Sequence, residues 1–288
     1  MIINILRNTQ LFLIASIILA FIYPDWGNFL KDYITIILFV MMFIPFLRLK
    51  IPSFDRNIKF GLKMVVVSYV FYFIISVLLT YFLKEPSYAV SIIVLAAMPP
   101  AVSNVSMASL VGVKMDKTVF SEVLLYVASL FLTPFIIWYF YGESVSVFSI
   151  VKVLFILIVL PFLFSRPFYN KIKWDLKEVL NIAIGLGVYI AVSLNVNKLL
   201  TDWYGLIPLF IVLTILRCGS GAIIYMYTKL RKLPKSQAVP YFLFGTSKNA
   251  NLALGFCLLL FDPLTALPFA VMAIINSFFT IWYLWLFK

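Results

Sequence analysis

Apolar residues run along this chain in long unbroken stretches, and charges and Pro/Gly clusters fall between the stretches. About 20 apolar residues cross the hydrocarbon core of a bilayer as a helix, so the pattern predicts membrane spans rather than the faces of a soluble fold. Ten stretches stand out, at 9–23, 33–47, 60–83, 88–113, 118–141, 146–165, 179–197, 203–228, 238–261 and 264–287. The first resembles a secretory signal, with Arg7 ahead of LFLIASIILAFIY. The PDWGNF that follows offers no small-x-small cleavage site, so the stretch is read as a span. No segment has the composition of a linker or a disordered tail.

Composition supports this reading. Of 288 residues, 64% are hydrophobic and 12% charged, which leaves almost nothing for a soluble domain. The expected class is an all-α polytopic membrane protein of ten transmembrane helices. A net charge of +12 would point to nucleic acid in a soluble protein, but here its distribution matters. Along a ten-span path, seventeen Lys and Arg lie on the side that holds both termini, and four (Lys31, Lys84, Lys152 and Lys198) lie opposite. The positive-inside rule then places both termini in the cytoplasm of a cell-membrane protein. The lipid bilayer is the expected partner, and nucleic acid is not.

The chain has no His and two Cys, Cys218 and Cys257, which stand 39 positions apart in apolar surroundings and read as buried hydrophobes. A His-ligated metal, a His-based triad and a Cys-rich zinc site are excluded, and no cofactor is expected. Rhomboid-type serine proteolysis would lack its His, and aspartyl proteolysis would lack paired aspartates within spans. An enzyme is therefore not expected.

The fifth span ends FIIWYF (135–140) and the tenth FTIWYL (279–284), an offset of 144, half the length. Asn104 and Ala108 match Asn249 and Ala253 at an offset of 145. Five spans per half is an odd number, so residues 144–288 form a second repeat inverted relative to residues 1–143. That is an architecture of alternating-access transporters. The fourth span is interrupted by Pro99 and Pro100, with Ser103 and Asn104 just beyond. The ninth is interrupted by Gly245, Thr246 and Ser247, followed by Lys248, Asn249 and Asn251. Broken helices at membrane depth must line a cavity or be buried in protein. Their N-termini direct partial positive charge at an anion, and their C-termini and carbonyls suit a cation. Ser103, Asn104, Ser247, Lys248, Asn249 and Asn251 are therefore candidate substrate- or ion-binding residues.

Three charges fall within spans. Lys248 lies 13 residues after Lys235 and 14 before Asp262, close to the midplane. A lysine reaches about 6 Å and the midplane is about 15 Å from either interface, so it needs a cavity or a partner. Arg217 is similarly central. Glu122, on the fifth span, lies either deep or at the cytoplasmic interface. Lys248 is read either as a tethered positive charge between the crossing helices or as the carrier of a coupled proton. Either way its field favours an anionic substrate. The aromatic content of 18% is expected mainly in lipid-facing belts.

At these residues the sequence resembles the bile acid:sodium symporter family. PPAVSNV around Ser103 and Asn104 is similar to the family's Ser-Asn in the fourth helix. KNANLALGFCLLLFDPLTALP (248–268) is similar to its ninth-helix Gln-Asn-Ser-Gly-Leu-Ala type motif and the Phe-x-Pro-x-x-Ala-x-Pro stretch that follows. The resemblance implies a core of spans 3–5 and 8–10 beside a panel of spans 1, 2, 6 and 7, with substrate, an organic anion, between them. It also implies sodium sites built from the Ser-Asn, hydroxyls of the fifth helix, and a Glu and Gln of the ninth. Here the Glu position falls on Phe244 and the Gln position on Lys248. A ligand is missing and a cation has arrived, so sodium-independent transport is expected, with sodium or proton left open as coupling ion. LRCGSG around Arg217 stands where the family often has His-Asn with a Gly four positions on, here Gly221. Arsenite permeases and auxin efflux carriers share the architecture. The former use a Cys in the fourth span, and residues 88–113 have none. A non-transporting membrane sensor would keep the same site.

Overall fold

The computed structural model describes residues 9–49, 57–169, 171–172 and 174–288, and the regular structure among them is entirely helical. The main helices are α1 Thr9–Ile22, α2 Ile34–Phe46, α3 Ile58–Thr80, α5 Asp116–Tyr141, α6 Val147–Phe168, α7 Lys177–Ser193, α8 Trp203–Leu230 and α10 Pro263–Phe287. The fourth and ninth are each in two pieces, α4a Pro86–Ala97 with α4b Ser103–Leu110, and α9a Lys235–Phe244 with α9b Ala250–Leu260. Helix thus falls on every apolar stretch of the sequence. Lengths are less uniform than expected: five helices, α3, α5, α6, α8 and α10, are long and apolar enough to cross a membrane. The pieces α4a and α9b are shorter because their spans are interrupted. Of the basic residues weighed for orientation, Arg7, Lys50, Arg56 and Lys173 lie outside the described residues.

Local chemistry sets these limits. Pro86 opens α4a in the first turn, where its missing N–H costs nothing. Ser146 Oγ accepts from the Ser149 N–H at 3.2 Å to start α6, and Asp262 Oδ1 accepts from the Leu264 N–H at 2.8 Å ahead of α10. Beyond α4b the chain reverses through Gly112 at φ +74°, a left-handed position that other residues adopt only with strain. Three helices contain a π-turn, Val67–Phe71 in α3, Phe155–Val159 in α6 and Ile215–Gly219 in α8.

Packing is extensive within two sets of helices. α7 lies against α1 and α2, and α6 against α2; α3 lies against α5 and α4a, and α8 against α9a and α10. At the C-terminal end of α2, Arg166 from α6 donates to the carbonyls of Leu49 (2.9 Å) and Phe46. The sets meet where α9b packs on α2 and α7, α5 on α6, and α10 on α7. Gly255 gives α9b its close approach to α2: a Cβ on it would stand 2.0 Å from Leu38 Cδ1. Phe131, Phe135, Trp138, Tyr139 and Trp285 point outward, as expected for a lipid-facing belt. Cys218 and Cys257 are free thiols, the latter buried.

Candidate functional site

Pro99 and Pro100 end α4a because neither supplies a backbone donor, and Met98 is already extended (ψ 157°). On the other strand of the crossing, α9a ends at Gly245, and Asn249 restarts the helix as an N-cap, its Oδ1 accepting from the Leu252 N–H at 3.1 Å. The two breaks are in direct contact. The Asn249 N–H donates to the Pro99 carbonyl at 2.9 Å, and Lys248 Nζ donates to the Met98 carbonyl, also at 2.9 Å. Thr133 Oγ1 of α5 donates to the Ala97 carbonyl. The three carbonyls at the C-terminal end of α4a are thereby all bonded, one of them by an ammonium group.

Lys248 is only 5% exposed. Its Nζ lies 3.8 Å from the centroid of the Tyr69 ring and 5.7 Å from that of Tyr72, so a π face takes part in replacing the water it has lost. Arg217, in the π-turn of α8, plays the corresponding part at the end of α9a. Its Nη1 donates to the Thr246 carbonyl and, at 2.7 Å, to Ser247 Oγ, and its Cζ stands 3.9 Å from the centre of the Phe279 ring. Each half-helix C-terminus at the crossing therefore receives a cationic side chain of the protein. These are the ends whose partial negative charge would attract a free cation.

The remaining candidates divide. Ser247 and Asn249 join this network; Asn249 Nδ2 donates to Tyr126 OH at 3.1 Å and lies 3.3 Å from Met42 Sδ. Asn104 is wholly buried in α4b, and neither of its side-chain polar atoms has a hydrogen-bond partner. Asn104 and Asn249 are not hydrogen-bonded to each other. The ends of α4a and α9a, at 97 and 244, and the starts of α4b and α9b, at 103 and 250, are both offset by 147 rather than by the 145 that relates Asn104 to Asn249. By helix position Asn104 corresponds to Asn251, the second residue of α9b, which is half-buried. Ser103 is exposed, so it does not share the buried setting of Asn104. Glu122 is fully buried within the protein; both its oxygens lack hydrogen-bond partners, and it forms no ion pair with Lys248. Ser68, Tyr69, Thr118 and Ser121 also carry buried side-chain oxygens without partners.

Sequence reasoning missed the aromatic contribution. Tyr69, Tyr72, Tyr126 and Phe279 are buried around the crossing and not in a belt. The available signal was position, since Tyr69 and Tyr72 fall mid-span while belt residues gather at span ends. It also missed Met98, which serves through its carbonyl.

Two cavities flank these elements. The larger, about 590 Å³, lies between α3, α8 and α9a and includes Val67, Ile224 and Tyr241. The second, about 310 Å³, lies between α2, α6 and α9b and includes Thr35, Lys152 and Leu259. A family model, that of the SBF-like CPA transporter family, matches residues 9–277. No curated protein matches the chain.

Proposed function

The chain belongs to the SBF-like CPA transporter family, and on that footing we propose that it is a secondary active transporter of an organic anion, working by alternating access and without sodium. Such a protein performs no covalent chemistry. In this reading ten spans form two inverted halves, and α3–α5 with α8–α10 rock as a core against α1, α2, α6 and α7. The two densely packed sets of helices support that division, and α9b on α2 is the surface across which they would slide. The cavity between α2, α6 and α9b, with Lys152 on its wall, suits an anion entering between panel and core.

The observation that carries the reading is the bond from Lys248 Nζ to the Met98 carbonyl. A sodium ion drawn to the end of α4a would find that carbonyl taken and an ammonium group beside it. At 4 Å and an effective dielectric of about 20, the repulsion is roughly 4 kcal/mol, close to a thousandfold in affinity. Phe244, fully buried where an acidic ligand would be needed, offers no compensation.

Purified protein in liposomes, assayed for uptake of labelled organic anions in sodium-containing and sodium-free buffer at clamped potential, tests this. Equal rates are expected. A saturable sodium requirement would overturn the tethered-cation reading, and no uptake of any anion would overturn the transporter reading itself.

A further inference from the structure

The cavity of about 590 Å³ between α3, α8 and α9a is a groove that opens outward. Tyr72–Thr80 of α3 packs on the π-turn Ile215–Gly219 of α8, while Ile58–Phe71 and Ser220–Leu230 each pack on α9a behind them. Leu62, Val66, Val67 and Phe71 form one wall and Ile223 and Ile224 the other. Leu62 is 53%, Val66 56% and Ile223 53% exposed, so the mouth faces the side where bilayer hydrocarbon lies. From Leu62 to Phe71 the helix rises about 14 Å, close to the roughly 15 Å of hydrocarbon in one leaflet. The floor adjoins the crossing: a Cβ on Gly245, where α9a ends, would stand 1.9 Å from Ile224 Cδ1 and 2.8 Å from Val67 Cγ1.

Charge is confined to one end of this groove, the end expected in the cytoplasm. Lys63 lines it, as do Tyr227 and Tyr241. Arg231 Cζ stands 5.9 Å from the centre of the Tyr227 ring, and Lys117 Nζ stands 5.5 Å from that of Phe60, which packs on Tyr241. Residues 57–66 and 220–244 contain no acid, and the nearest acid in sequence to any of the three cations is Asp116, beside Lys117. The ion pairs found among the described residues, Arg48 with Asp175 and Lys198 with Glu85 and Asp202, leave these cations out.

We propose that the groove binds one anionic phospholipid of the cytoplasmic leaflet, its phosphate among Lys63, Arg231 and Lys117 and an acyl chain along α3 and α8. A zwitterionic lipid brings its own ammonium to the same cations and binds less well. The chain rests on Val67 and Ile224, the two side chains that hold Gly245, and so braces the break in the ninth span. This site is independent of what the protein carries.

The test gives delipidated full-length protein in detergent phosphatidylglycerol, phosphatidylcholine or glycerol 3-phosphate, and reads intact-complex mass spectrometry and thermal unfolding. Phosphatidylglycerol is expected to be retained one per chain, to raise the unfolding temperature, and to bind on the order of tenfold or more tighter than phosphatidylcholine, with glycerol 3-phosphate inert. Lys63→Gln with Arg231→Gln should abolish most of that preference, and Lys63→Arg with Arg231→Lys should keep it. Ile223→Trp fills the groove without changing charge and should displace the lipid. Equal retention of both lipids would mean an unselective lipid coat and overturn the proposal. So would an equal loss of preference in Lys171→Gln with Lys177→Gln, which lie away from the groove, or an effect of glycerol 3-phosphate matching that of the lipid. Undiminished binding to Ile223→Trp would show that the groove is not the site.

Discussion

The backbone N–H of Asn249 donates to the carbonyl of Pro99 at 2.9 Å, so the two interrupted helices are joined at their breaks by main chain. Beside that bond Lys248 repeats the connection through its side chain, to Met98. The ends of α4a and α9b are thereby held in register, and a shift of either helix is transmitted to the other.

The two asparagines at the crossing separate stability from function. Asn249→Ala removes an N-cap and a buried bond to Tyr126, and is expected to cost about 1–3 kcal/mol as well as transport. Asn104→Ala removes a buried amide that bonds nothing, so stability should be unchanged or higher. Thermal unfolding in detergent alongside uptake distinguishes them. Wild-type transport in folded Asn104→Ala would show that Asn104 has no part in the site.

Lys248→Met leaves the Met98 carbonyl buried and unbonded, at a cost of about 1–3 kcal/mol. Lys248→Gln keeps a donor and should lose less stability, but both variants lose the cation and should transport more slowly or with altered pH dependence. Rates equal to wild type in both would remove Lys248 from the mechanism.

Gly255→Ala places a methyl 2.0 Å from Leu38 Cδ1, where α9b meets α2. Overpacking of about 1–3 kcal/mol is expected, with a lowered unfolding temperature. Adding Leu38→Ala should recover most of it. Failure of that rescue would mean that the contact is looser than the structure describes.

Orientation is open to labelling. In a chain lacking Cys218 and Cys257, Asn28→Cys should react with an impermeant thiol reagent in intact cells and Ser236→Cys should not. The reverse pattern would place the termini outside.

Much of this was legible in the amino-acid order. The limits of the apolar stretches and the two interruptions depend on local events, proline donors at 99 and 100 and the Gly-Thr-Ser run at 245–247, and the structure places helices and breaks there. The contacts of Lys248 and Arg217 were not legible, because each depends on where another helix lies. Sequence showed that Lys248 needed a partner, but the partner is a carbonyl, which leaves no trace in residue identity. Glu122 was ambiguous for the same reason, its burial being set by packing. The offset of 145 that pairs Asn104 with Asn249 differs by two residues from the offset of 147 at the ends of the interrupted helices, which residue identity alone does not reveal.

Tyr69 and Arg217 share a further property: each is the middle residue of a π-turn, Val67–Phe71 in α3 and Ile215–Gly219 in α8. A π-turn holds one more residue than the α-turn it interrupts. Loss of that residue would let the turn relax to α geometry, redirecting the side chains of the turn itself while shortening the helix by only about 1.5 Å. The direction in which this cation and this ring point is therefore adjustable by adding or removing one codon, with the ends of both helices and their loops left in place. Two of the residues that distinguish the crossing are thus held where the chain tolerates a change of length most readily.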